Sequence, residues 1–375
     1  MKNNAGIHAK LSKIRIAVIG MNFGQSFAEI YKAHPDVEYV GVCDTNKQRL
    51  ASLTNFSRKH DNYREILESG DYDAVHICTP ATMHVEPALE ALKRGRHVAC
   101  AVPMAMSLND LNSIIAVQEE SGLNYMMMET AVYGNEYLYA NELYKNGTLG
   151  MIQFMRGCHS QDLEDINPIW QGLPPMWYMT HAIAPLLDIL DTQATEVHCY
   201  GSGVMREEFK KNYGNPYPIE TAIFKLKNTM AKAEITRTLF ETAPYGGEAF
   251  DLYGDKATFA TIGVETPYRK HGECESRPLL LKIAPLLKPG ERRKITGQEV
   301  ETPFRPDLLP EQLKRFANGG HRGSHPHLVH EFIRSIIEGR QPYIHARRAA
   351  NWCAPGICAH ESAMKDGAAV EIPSF

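Results

Sequence analysis

The chain has 375 residues, a net charge of -4 and 22% charged residues, which is the size of about two domains with room for a sizeable core. This charge balance gives no electrostatic reason to expect nucleic acid or a membrane surface as a partner. No run approaches the length of a transmembrane helix.

Taken in order, residues 1–12 are polar and lack an apolar centre, so they read as a frayed leader rather than a signal peptide. An apolar, β-branched run at 14–19 has the character of a buried strand. A glycine turn follows at 20–26, containing Gly20, Asn22, Phe23 and Gly24, then a helix at 27–33. A second strand at 37–43 ends on Asp44. This βαβ unit has the size that binds a dinucleotide, and NAD is the expected cofactor. Gly20 allows the tight turn, amides at the helix start would face a pyrophosphate, and Asp44 stands where a carboxylate accepts ribose hydroxyls. Asn22 occupies the place of the second fingerprint glycine, and asparagine tolerates left-handed backbone angles.

The alternation continues with helices at 47–59 and 63–69, a strand at 74–78 ending at Thr79 and Pro80, and a helix at 83–94 that includes His84. A strand at 97–100 runs into Ala101, Val102 and Pro103, and a helix at 108–121 precedes a sixth strand at 124–128. Such a pattern is a parallel, doubly wound sheet. Its ligand lies at the carboxyl ends of the strands, which gathers Gly20, Asp44, Thr79, Pro80, Pro103 and Glu129 around one cleft. The second half differs: a helix at 135–146, then alternating runs at 152–158, 196–201, 221–227, 231–238 and 249–253, suited to a mainly antiparallel sheet. A helix at 180–190 interrupts them. Residues 262–318 read as a long surface excursion, followed by helices at 326–338 and 346–364 and a last strand at 369–372. The expected division is a dinucleotide domain at 13–132 and an α+β domain at 133–375. Of the eight cysteines, five lie in or beside apolar strands and none forms a CxxC pair, as expected for buried thiols in a reducing, cytoplasmic setting.

The order of a Rossmann unit, His97-Val98-Ala99-Cys100 leading to Pro103, and a mainly antiparallel domain resembles the glucose-fructose oxidoreductase / inositol dehydrogenase (Gfo/Idh/MocA) family over about residues 13–373. The resemblance implies a substrate domain whose open sheet makes the subunit interface, hence a homodimer or homotetramer. It also implies a lysine before the proline, where this chain has Val102. Two blocks, Met127 to Tyr133 and Trp177 to Pro185, look like those of the NAD-dependent glycoside hydrolases typified by α-N-acetylgalactosaminidases. The segment His321 to His325 is similar to their H-G-G-M-D, with His325 in place of the aspartate.

Hydride transfer from a sugar carbon needs a group that removes the hydroxyl proton, and the candidates are His181 and Tyr133. An imidazole suits a proton shuttle near neutral pH, whereas a tyrosine needs a lowered pKa to act as base. Tyr178 and His325 are candidate sugar contacts, and Glu129 either meets a ribose or satisfies backbone donors. The histidines at 321, 325, 327 and 330 lack the tight carboxylate or thiolate grouping of a zinc site, and no metal is expected. The expected activity is hydride transfer at a ring hydroxyl of a sugar or glycoside. Cofactor-recycling glycoside hydrolysis and a nucleotide-binding sensor without turnover are the alternatives.

Overall fold

A computed structural model of the chain describes residues 12–161, 168–239, 247–262, 281–285, 298–300 and 302–375. The leader expected at 1–12 lies almost wholly outside the described residues. The chain divides into two compact units. One comprises the chain to Ala105, Asn109–Met128 and Arg305–Ala349, and the other Met106–Leu108, Glu129–Phe304 and Ala350–Phe375.

In the first unit the chain runs β1 (Ile14–Ile19), α1 (Met21–Ala33), β2 (Val37–Cys43), α2 (Lys47–Ser52), β3 (Arg58–His60), α3 (Tyr63–Ser69), β4 (Ala74–Ile77), α4 (Val85–Lys93), β5 (His97–Cys100), α5 (Leu108–Ser121) and β6 (Tyr125–Met127). The sheet order is β3-β2-β1-β4-β5-β6, with every pairing parallel. β1 is central because its residues are apolar on both faces, and Ile16, Ala17 and Val18 are fully buried. Two expectations are corrected here. The helix expected from 27 begins at Met21, because Gly20 completes the turn alone at φ 94°. The helix expected at 47–59 ends at Ser52, and β3 follows as an edge strand whose Arg-Lys-His sequence carries no apolar alternation.

The second unit contains α6 (Asn135–Lys145), β7 (Ile152–Ser160), α7 (Thr180–Ile189), β8 (Ala194–Ser202), α8 (Glu207–Tyr213), β9 (Ile219–Leu226), β10 (Lys232–Thr238), β11 (Gly247–Gly254), β12 (Ala257–Ala260), β13 (Leu281–Pro285) and β14 (Gln298–Val300). Later in the chain come α9 (Ser324–Glu338) of the first unit, α10 (Ala346–Ala363), most of which lies in the second, and β15 (Val370–Glu371) of the second. The nine-stranded sheet has the order β14-β13-β12-β11-β7-β10-β9-β8-β15. Only the β7–β10 pairing among these is parallel. Alternation places Ala222, Phe224 and Leu226 of β9 and Ala233 and Ile235 of β10 inward. α7 packs against β7, β10 and β11, and all ten of its residues are buried. β13 and β14 fall within the stretch expected as a surface excursion.

The division differs from a single boundary after residue 132. Residues 305–349 return to the first unit because α9 turns Leu328, Val329, Phe332 and Ile333 inward and packs on α1. Arg334 donates to Asp36 at 2.8 Å, and the His34 and His330 rings meet at 3.0 Å between nitrogens.

Candidate active site

The candidate dinucleotide site belongs to the first unit. A Cβ at Gly20 would sit 2.5 Å from the Cys78 carbonyl oxygen, and one at Gly24 would sit 2.6 Å from Val18 Cγ1. Both glycines are therefore required for α1 to start against β1 and β4. Gly20 offers α1 no side-chain cap, and although Asp44 holds the first amide, Met21 N, the following turn with exposed Asn22 and Phe23 is placed to meet an anion. Asp44 follows β2 and accepts from Met21 N and Asn46 N, each at 2.8 Å, and from Arg49 Nη1 at 2.9 Å. Its carboxylate thus stands at the same turn. These residues fit a dinucleotide: a turn that admits no side chain, a glycine at the start of the helix and a carboxylate after the second strand.

Thr79 donates its hydroxyl to Met83 O at 3.1 Å. The buried His84 ring has one nitrogen 2.8 Å from Pro103 O and the other 2.8 Å from Thr79 O, tying the ends of β4 and β5 together. Burial lowers its pKa. His84 is thus a brace behind the cofactor turn rather than a group presented to it. Val102 is 7% exposed and wholly apolar.

His325 sits elsewhere than expected of a sugar contact. It is 2% exposed, stacked on Phe27 with centroids 3.9 Å apart, and its nitrogens lie 3.2 Å from Ser26 Oγ and 3.3 Å from His321 Nδ1. Burial pushes its pKa down to about 3, and those of His34 and His327 to about 4. These rings are neutral packing groups holding α9 in place. The resemblance to a substrate loop missed this because His325 already lies inside α9, where the helix faces α1.

The second unit gathers the titratable groups. Glu129 caps the turn Thr130–Val132, accepting from Ala131 N at 3.0 Å. That turn packs on α7, bringing the same carboxylate oxygen to His181 Nδ1 at 2.5 Å. Glu129 satisfies a backbone donor, one of the two roles expected of it, and the same carboxylate oxygen also holds His181. On the other side of the ring, His181 Nε2 lies 3.8 Å from Glu248 Oε1 on β11. Burial disfavours the imidazolium, but the charges of Glu129 and Glu248 outweigh it and push the pKa up to about 9. Burial likewise opposes the Glu129 carboxylate, yet His181 brings its pKa below the ordinary value. At neutral pH the pair is ionic, and His181 is an acid.

Around this pair stand His159, with centroids 5.1 Å from His181, and Tyr178 at 5.5 Å. Burial raises the Tyr178 pKa, so this phenol is a neutral donor. Arg237 is 0% exposed. It donates to Tyr178 O and His159 O at 2.9 Å, Thr238 O at 2.7 Å and Gln161 Oε1 at 3.0 Å. Burial lowers its pKa to about 9. Tyr133 closes the Thr130–Val132 turn through its N–H and is partly buried. Sequence reasoning overlooked Glu248, His159 and Arg237. For the last two a signal existed: each occupies the inward phase of an alternating strand, where a charged or titratable residue is costly unless used.

Residues 14–129 match the family model described as "Oxidoreductase family, NAD-binding Rossmann fold" under the name Gfo/Idh/MocA. A glycosyl hydrolase family 109 protein of Streptomyces niveus is 25% identical over 407 aligned positions, covering 97% of this chain and 78% of the relative. Among solved structures, an oxidoreductase domain protein from Kribbella flavida superposes with a TM-score of 0.76 at 17% identity, covering 97% of this chain and 100% of the other. A levoglucosan dehydrogenase solved with NADH and L-sorbose gives 0.75 at 17% identity with the same coverage. Residues 14–129 thus match the Gfo/Idh/MocA NAD-binding domain, and the chain shares its two-domain fold with the solved oxidoreductase structure from Kribbella flavida.

Proposed function

We propose that the protein is an NAD-dependent enzyme that acts on a sugar or glycoside by hydride transfer at a ring hydroxyl. The observation that carries this reading is the buried His181 ring, held between the carboxylates of Glu129 and Glu248. Gly20, Asn22, Phe23, Gly24 and Asp44 would hold the dinucleotide, with His84 bracing Thr79, Pro80 and Pro103 behind it. When bound, NAD supplies a hydride acceptor. The protein's own contribution is proton control: in the oxidative direction the hydroxyl proton leaves to the neutral form of His181, in the reverse direction the imidazolium returns a proton to that oxygen, and Glu129 orients the ring through Nδ1. Tyr133 and Tyr178 are candidate partners of the same oxygen. Partly buried Trp170, Trp177, Tyr178 and Tyr213 pack around Leu173 and Leu239, and such rings offer a sugar an apolar face with polar tips.

A second reading is favoured by Val102. An apolar wall stands where the resemblance implies a lysine that serves proton transfer beside the reacting hydroxyl. A cycle of oxidation, elimination, water addition and reduction has no net redox change to drive, and a charged His181 can protonate a departing glycosidic oxygen. This agrees with the glycosyl hydrolase name of the Streptomyces relative. The reading includes a cytoplasmic location and a homodimer or homotetramer. Among the described residues no helix is long and apolar enough to cross a membrane.

The test pairs free sugars with their chromogenic glycosides on NAD-supplemented protein, monitoring NADH absorbance and aglycone release together. NADH formed in step with sugar consumption supports the dehydrogenase. Aglycone release without net NADH supports the recycling hydrolase. Neither signal across aldoses, polyols and both anomers of glycosides would overturn both readings.

A further inference from the structure

We propose that the His34–His330 pair is an acid-sensitive latch that holds α9 on α1 only while both rings are neutral. The hydrogen bonds fix where each proton sits. His34 Nδ1 accepts from Asp36 N at 3.1 Å, so it carries no proton. The neutral ring therefore bears its proton on Nε2, which lies 3.0 Å from His330 Nδ1 and donates to it. His330 in turn keeps Nδ1 bare and its own proton on Nε2. A second proton on either ring destroys a bond. On His34 it would point at the Asp36 N–H, and on His330 it would set two N–H groups face to face.

The surroundings offer an imidazolium little compensation. His34 closes α1 and is buried, while His330 on α9 is half-buried and within reach of solvent. Asp36, Glu331 and Glu338 are the carboxylates whose charge favours a proton on these rings. Each already has an arginine: Arg334 meets Asp36 at 2.8 Å and Glu338 at 2.9 Å, and Arg340 meets Glu331 at 2.6 Å. Arg334 opposes a charge on either ring, and His330 opposes one on His34 and on His327. The turn Glu311–Phe316 packs on both helices. Its Glu311 and Lys314 are exposed and pair with each other at 2.7 Å, and its Arg315 is exposed as well. From the strands beside α1, Arg15 is tied to Asp73 at 2.7 Å and Glu38 is exposed. Lys32 of α1 turns to Asn55 O.

Burial pushes the His34 pKa down to about 4 and lowers that of His330. A ring whose pKa is lowered by packing contributes stability that is complete above the ordinary value of about 6.5. That stability is lost as pH falls toward the packed value, at about tenfold per pH unit for each ring. α9 also carries His325, stacked on Phe27 and 3.2 Å from Ser26 Oγ beside the dinucleotide turn. Acid would therefore free that side of the turn.

The experiment is hydrogen exchange of the α9 amides in the full chain at pH 7 and at about pH 5, corrected for intrinsic exchange rates. Protection should fall by about tenfold or more at the lower pH. In His34→Gln the side-chain amide keeps a donor toward His330 but does not titrate, so the fall should be smaller by about tenfold. No fall, or an equal fall in both proteins, would overturn the proposal. Should the variant not fold, the ring nitrogens of the unmodified protein decide, read by nitrogen NMR on the isotope-labelled chain. His34 should be neutral at pH 7 with its proton on Nε2, and should titrate well below the ordinary histidine range. A proton on His34 Nδ1 at pH 7, or a pKa of about 6.5 or higher, would refute the latch. Both measurements read the helix and the ring whatever reaction the protein catalyses, so their outcome is separate from that of the activity test.

Discussion

Replacing His181 with alanine should lower turnover by about two to four orders of magnitude, the usual contribution of a general acid–base group, while NAD affinity stays unchanged. The separation is expected because His181 lies on α7 of the second unit, whereas Gly20, Gly24 and Asp44 belong to the first. Alanine also leaves the Glu129 carboxylate buried with only the Ala131 amide among its present partners at that oxygen. Some stability will therefore be lost, because an uncompensated buried charge is costly. His181→Gln controls for this by keeping an amide donor near Glu129. It should recover stability more fully than turnover. Turnover within a few-fold of normal in either variant would remove His181 from the chemistry.

The second large effect is expected at Gly20. Its backbone sits at φ 94°, and an added Cβ would lie 2.5 Å from Cys78 O, 2.7 Å from Cys78 C and 2.9 Å from Thr79 N. All three are backbone atoms, so no side chain can swing aside. Forcing a left-handed non-glycine conformation costs about 1–3 kcal/mol, and overpacking adds about as much again. Gly20→Ala should therefore lose about 3 kcal/mol or more in urea unfolding, with weakened NAD binding as the turn shifts away from Asp44. Unaltered stability and affinity would mean that the turn is not the tight one described. Gly70 is the matching control for backbone angle alone, since its φ is 72° and nothing lies within 4 Å of its added Cβ.

Much of the first unit was legible because local signals agree there. The apolar run of β1, the glycine, and the acid closing β2 all lie within thirty or so residues of chain. α7 was also visible, its start at Thr180 marked by Trp177 to His181. Elsewhere the deciding contacts are long-range. Nothing local in Ser324 to Glu338 says that this helix crosses back to α1, and the pairings of Arg334 with Asp36 and His330 with His34 span almost the whole chain. His325 therefore looked like a loop residue facing substrate. β3 lacks alternation because it is a three-residue edge strand. Glu248 carried no signal because its role depends on the register that sets β11 against β7. The backbone-donor role of Glu129 was legible from its position after β6, but its pairing with His181 was not, because that depends on the packing of its turn on α7.

The central claim is that a ring carbon gives its hydride to NAD. It is tested most directly with a sugar or glycoside deuterated at its ring carbons, quenched within the first turnover on the NAD-loaded protein. Mass spectrometry of the released cofactor then follows the label. The reduced cofactor should carry one deuterium, and its appearance should be strongly slowed in His181→Gln. Conversion of the substrate with the cofactor recovered oxidised and unlabelled throughout the turnover would contradict it.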